Sequence, residues 1–148
     1  LMSYRQLLVR ESLEEVPVSR VMSTELTTVH PETTLQELAD ELLTGGDQRS
    51  FPVVEDGRFL GLISLHEVRK VPRDARAGTT VGEVMTPAAD LATVGPEADA
   101  QEAMSALGAR DVNQVPVVQD GKLQGLVRRQ DIIHWLARYT EAPLPPSR

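Results

Sequence analysis

The sequence predicts a mixed α/β (α+β) fold: two tandem copies of one strand–helix–strand–strand–helix unit, related by pseudo-two-fold symmetry. Three observations predict it. The segment Phe51-Pro-Val-Val-Glu-Asp-Gly-Arg-Phe-Leu-Gly-Leu-Ile recurs as Val115-Pro-Val-Val-Gln-Asp-Gly-Lys-Leu-Gln-Gly-Leu-Val, an offset of 64 residues kept by Pro52/Pro116, Gly57/Gly121 and Gly61/Gly125. Upstream, Val21-Met22 pairs with Val84-Met85 and Thr28-Val29 with Thr93-Val94, at offsets of 63 and 65. Within each copy the apolar spacing then changes from helical to strand-like in the same order. Copies of about sixty residues are each marginal as a lone core, so pairing them buries apolar faces that neither hides alone.

The elements follow in chain order. Residues 3 to 16 read as an extra helix, with Ser3 and Gln6 spaced as a capping box and Pro17 as its stop. The first copy opens with a strand. After Pro31, Leu35, Leu38, Ala39, Leu42 and Leu43 recur at helical spacing behind Thr33 or Thr34 as N-cap. Phe51 to Val54 forms a strand, Asp56-Gly57 a tight hairpin turn, and Phe59 to Ile63 the return strand. A short helix follows Ser64. The second copy repeats the order, with a helix carrying Ala100, Ala103, Met104 and Leu107. It ends in a longer helix after Arg128 in which Ile132, Trp135, Leu136 and Tyr139 share a face. The expected divisions are a linker helix over 1–16, repeats over 17–71 and 81–139, a connector over 72–80 and an unpacked tail over 140–148.

Composition excludes several functions. With 15 Lys+Arg against 22 Asp+Glu and a net charge of −7, the chain lacks the basic face that a nucleic-acid partner requires. The absence of cysteine removes disulfides, thiol nucleophiles and cysteine metal sites. No apolar run approaches a membrane span and no signal peptide opens the chain, which points to a cytoplasmic domain, free or tethered at the cytoplasmic face of a membrane. His30, His66 and His134 are isolated in sequence, and no phosphate-binding lysine loop or nucleophile elbow is present. The chain alone reads as a non-enzyme with no required cofactor and no metal site. It opens Leu1-Met2-Ser3: either the segment begins inside a longer protein or Leu1 is a cloning remnant.

The ordered motifs Val-Met-Ser/Thr, Thr-Val-x-Pro-Glu and hydrophobe-Pro-Val-Val-x-Asp-Gly-x-hydrophobe-x-Gly-Leu, present twice over residues 17 to 138, resemble a tandem cystathionine-beta-synthase (CBS) domain pair, a Bateman module. The resemblance implies a regulatory module that binds AMP, ADP, ATP or S-adenosylmethionine in inter-repeat clefts and signals to an attached or associated enzyme. The alternative is a ligand-independent dimerisation or interaction module of a larger membrane protein, since such modules associate as homodimers. Ser3-Tyr4-Arg5-Gln6-Leu7-Leu8 leading into the first repeat, with the two hydrophobe-Pro strands, also resembles the C-terminal part of site-two-protease-like membrane zinc peptidases. Covalent attachment to such a peptidase domain is thereby implied.

The family's ribose-phosphate signature is Gly-hydrophobe-x-Thr/Ser-x-x-Asp/Glu. The first copy, Gly61-Leu-Ile-Ser64-Leu-His-Glu67, matches it in full; the second, Gly125-Leu-Val-Arg128-Arg-Gln-Asp131, keeps the acid but has Arg128 at the hydroxyl position. A strand entering a helix presents unpaired N–H groups suited to phosphate. A hydroxyl adds a donor, and a carboxylate one turn on can accept from two ribose hydroxyls. Gly61 would let the ligand approach the backbone. Ser64-x-x-Glu67 is equally a capping box that needs no ligand. Arg128 at a helix N-terminus opposes the macrodipole, so it is either a phosphate donor or a side chain that reaches solvent or a nearby acid. The resemblance adds Arg49, Ser50 and Phe51, and Asn113, Gln114 and Val115, as cleft-lining positions. Phe51 could stack on a base or belong to the core.

Overall fold

The computed structural model describes residues 3–43, 46–110 and 112–141. Most of the expected tail lies outside these residues. Over its described residues the chain forms two compact units, and each interleaves parts of both repeats. One comprises Glu25–Ala92 with Asp120–Leu123; the other comprises Leu1–Thr24, Thr93–Gln119 and Gln124–Arg148.

The first unit is built on a hairpin of β1 (Ser50–Glu55) and β2 (Arg58–Ser64), antiparallel from Ser50↔Ser64 to Glu55↔Arg58 with a bulge at Val53/Val54. Asp56 and Gly57 both take positive φ, 52° and 83°, the geometry of a two-residue turn that matches strand twist. Helices α2 (Leu35–Leu43), α3 (Leu65–Arg69) and α4 (Val81–Val84), with the two-residue strand β3 (Thr86–Pro87), complete the unit. Its core gathers Val29, Leu35, Leu38, Phe51, Val53, Ile63, Val68 and Val81. Thr34 is the N-cap of α2: its hydroxyl accepts from Glu37 N–H at 3.1 Å, and Glu37 accepts from Thr34 N–H at 2.9 Å. The side chain of Leu43 lies outside the described residues.

The second unit holds α1 (Tyr4–Leu13), α5 (Ala100–Arg110), β4 (Gln114–Gln119), β5 (Lys122–Arg128) and α6 (Arg129–Glu141). Leu13, Val18, Val21, Ala100, Ala103, Leu107, Val115, Val117, Val127 and Ile132 form its core, with Trp135 and Leu136 packed against it. The side chain of Tyr139 is outside the described residues. The Ser3/Gln6 capping box is present, but α1 ends at Leu13, before Pro17 could stop it. Glu15 turns left-handed at φ 63°, and its N–H is taken by Asp99 Oδ2 at 2.9 Å.

The strand expected to open each copy is reduced to one bridging residue. Val29 bridges Val53 and Val94 bridges Val117, each in parallel. Pro31 and Pro96 lie two residues downstream and have no N–H to extend the ladder.

Each hairpin is completed by a segment from the other repeat. Val18 N–H donates to the Ala98 carbonyl at 2.8 Å, Ala100 N–H to Val16 at 2.7 Å, and Ser23 and Leu126 exchange backbone bonds at 2.8 and 3.0 Å. In the first unit Val81 N–H donates to Thr33 at 2.8 Å and Leu35 N–H to Thr79 at 2.9 Å, while β3 pairs with β2 at Gly61↔Pro87 and Leu62↔Thr86. Val18 and Val81, one on each docked segment, are fully buried.

Gly61 and Gly125 are the contact points. A Cβ on Gly61 would collide with the Thr86 carbonyl oxygen, and one on Gly125 would lie 2.7 Å from the Ser23 carbonyl oxygen. Gly61→Ala and Gly125→Ala should each destabilise by about 1–3 kcal/mol through overpacking. Gly108→Ala, in α5 with nothing within 4 Å, should instead stabilise by about 0.4–1 kcal/mol. Chemical denaturation of the three variants checks this; an unchanged midpoint for Gly61→Ala and Gly125→Ala would contradict it.

Hydrogen bonds from Thr34 hold the Glu37 carboxyl below the usual glutamate range, and those from Thr80 do the same for Glu83. A depressed folded value means the contribution is present above the unfolded value and lost as pH falls through the folded one. Thermal melts from pH 7 down to pH 3 should therefore decline less steeply at the acid end in a Glu37→Gln, Glu83→Gln double variant. An identical acid slope would contradict the assignment.

Candidate functional site

In the first unit the end of the hairpin builds a polar corner. Ser50 opens β1 and is the cross-strand partner of Ser64, which closes β2. Ser64 then caps α3: its N–H and its hydroxyl both donate to Glu67 Oε1, at 2.7 and 2.8 Å. Ser64 and Glu67 are half-buried, and Ser50 is buried. Gln48, which the sequence reading passed over, braces the approach to β1. Its amide donates to the carbonyls of Thr27 at 2.8 Å and Ser50 at 2.9 Å, and accepts from Thr27 N–H at 3.0 Å.

Three structural facts bear on the expectations at this corner. Phe51 is 6% exposed inside the core cluster, so it packs the hairpin and has no free face for a base. Gly61 makes room for Thr86 of the docked segment, a packing role that accounts for the glycine without a ligand. Helix α3 has only five residues, too few aligned peptides for a strong macrodipole, so an anion here would depend on individual donors. Arg49, just ahead of β1, is exposed.

The corresponding corner of the second unit has different chemistry. Arg128 ends β5 and folds onto Asp131 in the first turn of α6. Its N–H donates to Asp131 Oδ2 at 2.8 Å, its Nε to Oδ2 at 3.2 Å, and its Nη2 to Oδ1 at 3.2 Å. The side chains are 23% and 10% exposed. Of the two readings of Arg128, the structure shows the acid-paired one. Gln114 is half-buried at the start of β4, Val115 is fully buried in the core, and the exposed Asn113 accepts from Arg129 N–H at 3.3 Å. Gly125, like Gly61, admits a docked backbone.

Beside Asp131 lies a cavity of about 190 Å³, walled by residues 20–23 of the docked segment and by Asp131, His134, Trp135 and Arg138 of α6. The last three sit three, four and seven residues after Asp131 on α6, so helical spacing could have grouped them. Arg20 could not be found that way, because only the exchange of segments brings it there. A second cavity, of about 610 Å³, lies between α1 and α5 and is lined by Arg5, Val9, Gln101 and Met104 among others; none of the expected site residues borders it. Among the described residues no cluster of three or more His, Asp or Glu could hold a metal ion, and no helix is long and apolar enough to cross a membrane.

Comparison with known proteins places the chain in a wider set. The pattern described as the CBS domain matches residues 18–74 and 81–138. An uncharacterized protein of Methanocaldococcus jannaschii is 29% identical over 119 residues, which is 80% of this chain and 43% of that protein; the chain therefore spans less than half of that relative. Among solved structures, the CBS domain of the bacterial CNNM/CorC family Mg2+ transporter in complex with ATP superposes with a TM-score of 0.75 at 24% identity, covering 88% of this chain and 94% of that one. CBSX2 in complex with AMP gives 0.72 at 24% identity, covering 84% and 98%. At that identity the likeness establishes the fold.

Proposed function

The chain belongs to the CBS domain family, carrying its pattern twice, and we propose that it is a regulatory module that binds an adenosine-containing ligand at the Ser50–Ser64–Glu67 corner. AMP, ADP, ATP and S-adenosylmethionine are the candidates, and occupancy is passed to an attached or associated enzyme. The observation that carries this reading is the half-buried Glu67 carboxylate, with two hydrogen bonds on one oxygen. A carboxylate has roughly four acceptor sites, so about two remain, the number a ribose diol needs. The cap and the ribose contact are compatible on one side chain. Asp131 already takes three donors from Arg128, which leaves about one site and no room for a diol. That solved relatives of this fold hold AMP and ATP supports an adenine-bearing ligand.

Signalling in this reading is a population shift: the ligand favours whichever arrangement it binds better, by no more than its differential affinity. At a hundredfold excess over Kd, binding stabilises the occupied state by about 2.7 kcal/mol. We favour a membrane zinc peptidase as the attached enzyme, on the resemblance of the segment from Ser3 to Leu8 and the two hydrophobe-Pro strands.

A second reading, association with another copy of this chain, is favoured by one observation. Tyr4, Leu7 and Leu8 on α1 and Ile133 on α6 are exposed at 76%, 42%, 44% and 62%. Such apolar exposure suits an interface, and the two readings are not exclusive.

Calorimetric titration with the four ligands tests the primary reading. Binding is expected at one site per chain, and Glu67→Ala should weaken it about ten- to hundredfold, the scale of hydrogen bonds to a charged group. Ser64→Ala should weaken AMP more than adenosine, because the single hydroxyl proton, which Glu67 takes in this structure, is assigned to phosphate in the bound state. No heat with any of the four, in protein shown to be folded, would overturn the reading.

A further inference from the structure

Independently of the adenosyl reading of Glu67, we propose that the segment carrying Arg69, Lys70, Arg73 and Arg76 is a docking surface for an anionic lipid bilayer. The chain has a net charge of −7, yet residues 69–76 hold four cations against a single acid, Asp74. Elsewhere in 25–92, the main span of the first unit, two cations face eleven acids. The charge of this span is therefore segregated, with most of its positive part on one short stretch.

Local structure keeps that stretch in water. Arg69 is the last residue of α3 and Lys70 its C-cap; Pro72 then precedes a 3-10 turn over Arg73–Gly78. In such a turn residues three apart lie one above the other, so Arg73 and Arg76 share an edge. Arg76 Nε donates to the Val71 carbonyl at 2.9 Å, which ties the turn back to the end of α3. From Pro72 to Gly78 only Arg76 is half-buried, and Arg69 and Lys70 are exposed as well. Among the described residues none of Arg69, Lys70 and Arg73 takes part in an ion pair.

The fold does not need these charges. At the repeat offset of 64, Ile133, His134 and Ala137 stand in the second copy where the first has Arg69, Lys70 and Arg73. Helix α3, with five residues, has too small a macrodipole to call for two cations at its end. A bilayer reads summed charge near its surface and asks for no fixed side-chain geometry; about four Lys and Arg are enough for it to do so. The acids elsewhere in the span set the orientation, because an anionic surface repels them and attracts only this face.

Co-sedimentation with vesicles tests the assignment. The full chain should partition onto phosphatidylcholine vesicles containing about one-third phosphatidylserine, and stay free of phosphatidylcholine alone. Raising salt from about 0.1 M to about 1 M shortens the Debye length from roughly 10 Å to roughly 3 Å and should release it. Arg69→Gln, Lys70→Gln and Arg73→Gln should each weaken partition about three- to fivefold, and the triple variant should abolish it. Arg5→Gln, the same loss of charge at an exposed position of the other unit, should leave partition unchanged.

Equal binding to both kinds of vesicle, partition indifferent to the triple variant in folded protein, or an Arg5→Gln effect as large as that of Arg73→Gln would overturn the proposal. Absence of partition at low salt would do the same. If the chain instead bound polyglutamate, and the triple variant lost that binding, the cluster would belong to an acidic protein partner and not to a membrane.

Discussion

The close approach of two backbones at Gly61 and Gly125 is the constraint on which the architecture depends. At each position the place of a side chain is taken by a carbonyl oxygen, of Thr86 in one unit and of Ser23 in the other. The docked segments also supply Val18 and Val81, fully buried in the two cores, and the backbone partners of residues 98–100 and 33–35. Neither repeat is therefore complete by itself. The duplication gives two copies of a motif, and the reciprocal exchange makes each copy part of the other's core. The cost is non-local pairing: bonds such as Ser23 to Leu126 close long loops, and topologies with distant contacts fold slowly.

The exchange also explains why much of the fold was legible and some of the site was not. Hairpins are local, so Asp56-Gly57 and its repeat at Asp120-Gly121 could be read from turn chemistry, and both aspartates do take a positive φ of 52°. The helix after Pro31 was legible because its capping box and apolar spacing are contained within it. Three features were not legible because a distant partner decides them. Asp99 takes the amide of Glu15 and ends α1 early; prolines curtail the opening strands to single bridges; and the two glycines answer to a backbone about a sixth and about two-thirds of the chain away. The pocket beside Asp131 was half visible, since three of its side chains are spaced along one helix face while Arg20 arrives with the docked segment.

One substitution between the repeats separates the chemistry of their corners. With serine before the helix, the acid one turn on receives two hydrogen bonds and keeps acceptor capacity. With arginine there, the acid receives three donors and is held in an ion pair. Equivalent positions in a duplicated fold thus differ in what they leave free: one carboxylate keeps acceptor capacity, and the other is taken up by an arginine. The inequality follows from hydrogen-bond arithmetic and does not depend on any difference in backbone.

Amide chemical-shift mapping of 15N-labelled protein during an adenosine titration tests that inequality most directly. Adenosine carries the ribose diol and no phosphate, so the account predicts shifts at Ser50, Ser64, Leu65 and Glu67, with Arg128 to Asp131 unmoved. Shifts centred on Arg128 to Asp131, with the Ser64–Glu67 corner silent, would contradict it.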